Sequence, residues 1–64
     1  MYRLQVFHTG SVVPTETLTI RQAAEVLQAI PELLARHPGC AHVEVLMDSV
    51  RLFAVDCTGA RLPN

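Results

Sequence analysis

The sequence has no tryptophan and no lysine, only three aromatic residues, and three glycines that stand apart from one another. Each scarcity excludes something. With Gly10, Gly39 and Gly59 isolated, no glycine-rich loop is available to wrap a phosphate. The basic side chains are Arg3, Arg21, Arg36, Arg51 and Arg61, scattered along a chain of formal net charge −1. There is no basic run of the kind that holds nucleic acid, so nucleic acid is disfavoured as a partner. No apolar stretch approaches the roughly 20 residues needed to cross a bilayer. The start of the chain lacks the charged segment and apolar run of a secretory leader. The expectation is a cytoplasmic protein with no membrane partner, in which Cys40 and Cys57 are reduced.

What is present is apolar. Half of the 64 residues are hydrophobic, which excludes disorder and points to one domain spanning residues 1–64. A domain of this size buries only about 60% of its unfolded surface. It is marginal alone, and a second copy is a common remedy.

The stretch Thr19 to His37 reads as the single helix. Thr19 is placed to cap it, with Gln22 closing a capping box. Ile20, Ala23, Leu27, Ile30 and Leu34 recur at steps of three and four, forming the expected buried stripe, with Val26 and Leu33 on its flanks. Glu32 and Arg36 form an i,i+4 pair in the favourable order. Pro31 removes one helical bond, but the apolar phase continues through it, so one kinked helix is expected. Pro38 and Gly39 end it, with His37 at the C-terminal cap.

The flanking segments read as strands. Tyr2 to His8 alternates, with Tyr2, Leu4, Val6 and His8 on the better core face. Val12 to Leu18 is extended, and Pro14 within it points to an edge strand or a bulged one. Ala41 to Met47 and Val50 to Asp56 form a hairpin around Asp48-Ser49, and the tail carries a stub of strand at Arg61-Leu62. With Asp48 and Ser49 as the two turn residues, Met47 faces Val50, Val45 faces Leu52, Val43 faces Ala54 and Cys40 faces Cys57. The fold class is α+β: a ββαββ chain with a small, mostly antiparallel sheet and one Pro31-kinked helix on one face.

In that register the uncovered face carries Phe7, Leu46, Arg51, Phe53 and Val55. This is the expected interaction surface, an apolar patch sizeable for so small a chain. A homodimer, formed through this face or a strand edge, is the first reading. An unidentified protein partner is the second. Phe7 and Phe53 with Arg3 and Arg51 also resemble a weak stacking platform for single-stranded nucleic acid.

Cys40 and Cys57 form a candidate redox pair. With His37 and His42 they could supply a Cys2His2 zinc set, but the spacing fits no usual zinc module, and no metal or cofactor is expected. A Cys57, His42, Asp56 nucleophile site fails on strand alternation, which sends Asp56 and Cys57 to opposite faces. The expected function is a small protein-interaction module, not an enzyme. The alternatives are a thiol-redox or metal-binding protein using Cys40 and Cys57 and, more weakly, a single-strand binder.

Overall fold

The computed structural model describes residues 1–63. Strand β1 (Tyr2–Phe7) and strand β2 (Glu16–Ile20) lead into helix α1 (Ala23–Arg36), followed by β3 (His42–Met47) and β4 (Val50–Asp56). The four strands form one antiparallel sheet in the order β2-β1-β3-β4. The two hairpins therefore lie side by side, with β1 and β3 central. The ββαββ expectation holds; the second strand does lie at an edge, but Pro14 falls outside it, in the loop before Glu16.

The core lies between the helix and one sheet face. Leu4 and Val6 of β1 and Val43 and Val45 of β3 are fully buried there, as period-two alternation predicts. They meet Val26, Ala29, Ile30 and Leu33 of the helix, together with Ile20 and Cys40. The helix packs chiefly against β1 and β2, so it lies off-centre on the sheet.

Three expectations are corrected. The helix does not begin at Thr19. Thr19 and Ile20 belong to β2, where Ile20 pairs with Tyr2 and is buried. Extending the ladder by two residues satisfies their backbone groups and buries Ile20, which capping would not. Gln22 occupies the cap position but makes no side-chain cap bond. The N-terminal hairpin is also displaced along the chain: β2 starts at Glu16, and Val12 and Val13 are exposed in the connecting loop.

The second correction is the phase of the helix. Its buried line is Val26, Ala29, Ile30 and Leu33, whereas Leu27 is 68% exposed and Leu34 half-buried. The two stripes are adjacent and equally well spaced. The off-centre placement of α1 over β1 and β2 selects the first and turns Leu27 toward β4. The helix runs continuously through Pro31 to a C-terminal cap at His37, as expected.

The third correction is the register of the β3-β4 hairpin. Met47 faces Val50 and Leu46 faces Arg51, but then Val45 faces Phe53 and Val43 faces Val55. Leu52 is the extra residue of a β-bulge between Val45 and Leu46 of the partner strand. The bulge turns Phe53 and Val55 onto the core face in place of Leu52 and Ala54. The larger pair brings several more carbons to the core side, at roughly 0.8 kcal/mol for each fully buried CH2. That gain outweighs one lost ladder position. Beyond Asp56 the tail returns along β4: Arg61 bridges Val55, and the Leu62 N–H donates to the Ala54 carbonyl at 2.8 Å.

Candidate functional site

The bulge and the off-centre helix together leave a groove. Because α1 lies over β1 and β2, the inner side of β4 is only partly covered. Two adjoining cavities of about 260 and 490 Å³ open there, and both are lined by Leu27 of the helix and Phe53 of β4. The first is walled by Tyr2, Ala23, Val26, Val45 and Leu52 as well. The second continues past Pro31 and Leu34 to the tail. Among the described residues no carboxylate lines either. The one charged group among the described lining residues is Arg61, whose guanidinium carbon stands 4.6 Å from the Phe53 ring centroid, a cation–π contact at the tail end of the groove. At the other end Leu52 and Val50 are exposed, at 39% and 57%.

The expected surface is therefore split. Phe53 and Val55 face inward, Phe53 half-buried against the core and Val55 buried within it. Phe7, Leu46 and Arg51 remain on the outer face, where they do not form one patch. Phe7 stacks on His42 with ring centroids 4.9 Å apart. Leu46 lies between Arg3 and Arg51 in the register. Glu44 accepts from His42 at 3.0 Å and pairs with Arg51 at 3.7 Å. On the outer face His42, Glu44 and Arg51 satisfy one another and separate Phe7 from Leu46. The apolar opening lies on the helix side, at the β4 edge.

The cysteines are both free thiols. The bulge removes the direct cross-strand facing that the unbulged register predicts. Cys40 lies buried in the core, and Cys57 directs its Sγ toward the His37 carbonyl at 3.9 Å, the same oxygen that accepts from the Cys40 N–H. Burial, and then the neighbouring Cys57 thiol, push Cys40 up to about 11. The Cys40 sulfur is thus held in the protonated form that reacts slowly. His42 faces the opposite side of the sheet from Cys40. The Asp56 carboxylate closes the Thr58 turn, accepting from Thr58 N–H at 2.9 Å, Thr58 Oγ1 at 2.6 Å and Ala60 N–H at 3.0 Å. Those bonds, the Thr58 hydroxyl first, hold it below the usual carboxylate range. Among the described residues no three His, Cys, Asp or Glu side chains gather as a metal cluster.

One constellation is invisible to sequence reasoning. Glu16 at the start of β2 reaches the end of the helix. Its Oε1 lies 2.7 Å from His37 Nε2, and its Oε2 takes Arg36. His37 Nδ1 in turn lies 3.4 Å from Nε2 of His8, just beyond β1. The His37 bond chiefly, with the charge of Arg36, holds Glu16 below the usual carboxylate range. No spacing in the chain signals this. Arg36 pairs with Glu16 rather than with Glu32, because β2 lies against the helix end.

The fold and groove together define a small α+β protein with an incompletely covered core at one sheet edge. No family model matches the chain, and no curated protein or solved structure matches it.

Proposed function

We propose that this protein is an interaction module that self-associates through the α1-β4 groove and the adjoining edge of β4. The observation that carries this reading is the line of exposed apolar side chains, Leu27, Val50 and Leu52, bordering an apolar cleft beside an edge strand. The tail pairs with the C-terminal half of β4 and leaves the Val50–Phe53 half as sheet edge.

A second copy suits this surface. A two-fold axis beside β4 brings each edge against its counterpart and places each Leu27 and Leu52 near the other copy's groove, which is the self-complementarity an isologous dimer needs. The low net charge of −1 opposes such pairing little. A standard interface takes about 800 Å² per partner, close to a fifth of the 4133 Å² this chain exposes. For a domain with so small a core, that burial is a large gain.

The test is molar mass by light scattering. Twice the chain mass of 7.0 kDa is expected, with and without reductant, and Leu27→Glu is expected to return the protein to monomer with its helical circular dichroism intact. A wild-type monomer across the accessible concentration range overturns the reading. So does a dimer that Leu27→Glu leaves unchanged.

A further inference from the structure

We infer that Cys40 and Cys57 are a thiol–disulfide site, at which a small disulfide of the glutathione class oxidises the pair to one bond within the chain. They are the only two cysteines of the 64 residues, and they come from separate pieces of the fold. Cys40 stands between α1 and β3, and Cys57 follows the last residue of β4. The bulge takes them out of direct cross-strand facing, yet the end of the helix gathers them again. The His37 carbonyl accepts from the Cys40 N–H at 3.2 Å, and Cys57 directs its Sγ to that same oxygen at 3.9 Å. Both side chains lie on the core side, Cys40 buried in the core cluster and Cys57 packed against it. The sulfurs are near enough that, after burial, the bond from the Cys57 side chain is the main cause that raises the Cys40 thiol.

Packing explains one sulfur and not the other. A buried free cysteine serves as a small hydrophobe, which suits Cys40. Cys57 is half-buried at a turn and gains less that way. Exposure sets the order of events. Cys57 gives its proton to water and attacks one sulfur of the small disulfide; that S–S bond breaks, and one small thiolate leaves. The Cys40 sulfur gives up its proton in turn, attacks the Cys57 sulfur and expels the second small thiolate. Contact with Cys57 offsets the slowness of Cys40 toward dissolved reagents, because no encounter is needed. The chain loses two electrons and two protons, and the small disulfide is reduced to two thiols. The raised Cys40 thiol then favours persistence of the bond. Reopening at the more exposed Cys57 sulfur must expel Cys40, and a thiol that holds its proton tightly is a slow leaving group. The closed bond fastens the loop after α1 to the turn at Thr58 and Gly59, which walls the second cavity. It lies within one chain, so it is independent of self-association.

The experiment is incubation of the full chain with oxidised glutathione at neutral pH, read as intact mass after an acid quench. The expected product is lighter than the reduced chain by two hydrogen atoms and carries no glutathione. Cys40→Ala is expected to stop at a chain with one glutathione on Cys57. Cys57→Ser is expected to slow all reaction by roughly tenfold or more, since burial keeps Cys40 from the oxidant. Under reduced glutathione the closed bond is expected to reopen several times more slowly than the mixed disulfide of Cys40→Ala. A wild-type chain left fully reduced overturns the proposal, as does one that keeps glutathione on Cys57 or is linked to a second chain. Equal reactivity of Cys57→Ser and Cys40→Ala overturns the order of attack, and reopening at equal rates overturns Cys40 as the departing sulfur.

Discussion

Leu33 and Leu27 are six residues apart on one helix, and their fates differ entirely. Leu33 is fully buried; Leu27 lines the groove. Leu33→Ala is expected to cost about 2–5 kcal/mol in urea unfolding, and Leu27→Ala under about 0.5 kcal/mol if unfolding is followed on the monomer. The sequence spacing alone favours Leu27, because Ile20, Ala23, Leu27, Ile30 and Leu34 make an unbroken series. The neighbouring series through Val26 and Leu33 is as regular, and only the position of the helix on the sheet separates them. The cysteines differ in the same way. Cys57 is half-buried and Cys40 buried with its thiol pushed up to about 11, so alkylation at neutral pH, followed by mass spectrometry, is expected to label Cys57 first. Glu16 supplies a pH dependence. Folding lowers its pKa, so its contribution is present above the unfolded-state value and is lost as pH falls through the folded one. Glu16→Gln is expected to flatten the acid limb of the stability curve below about pH 5.

At the scale of elements, the β3-β4 hairpin decides where the protein can make contacts. Its strand limits are legible in the sequence, and β4 runs over Val50–Asp56 as read. Its face assignment is not. The run VRLFAV has no strict alternation, so pattern alone cannot exclude a bulge, and the apolar facing of Val45 with Leu52 and Val43 with Ala54 is self-consistent. The choice is made by packing: Phe53 and Val55 fill the core side better than Leu52 and Ala54. Phe53→Asp is expected to lower the denaturation midpoint of the monomer strongly, because it places a charge against the core cluster. Phe7→Ala on the outer face removes a half-buried ring and its stack on His42 but leaves the core cluster intact, and is expected to cost well under half as much. Comparable losses for the two would contradict the bulged register.

For the whole molecule, the fold class and the strand-helix order follow from period-two and period-three-to-four patterning. The site does not. The groove arises from three tertiary facts together: the lateral position of α1, the bulge at Leu52, and the tail covering only half of β4. None leaves a local trace in the chain. The same holds for the Glu16-His37-His8 line, whose members come together only because β2 packs against the helix end. His8→Ala, which touches the histidine line and none of the groove residues, is expected to leave the molar mass unchanged.

The bulge also makes this gene unevenly tolerant of lost codons. A strand with one surplus residue can forfeit it. Deleting Leu52 leaves Arg51 opposite Leu46 and Phe53 opposite Val45, and simply closes the ladder. Deleting Gln5 from β1 offers no such slack, because one of its buried neighbours, Leu4 or Val6, must leave the core side. In a scan of in-frame single-codon deletions scored by soluble expression, β4 should appear as a permissive island beside two intolerant central strands. The deletion at Leu52 would straighten the edge and take away the local twist that discourages uncontrolled pairing, so its product should be folded yet more prone to form higher assemblies.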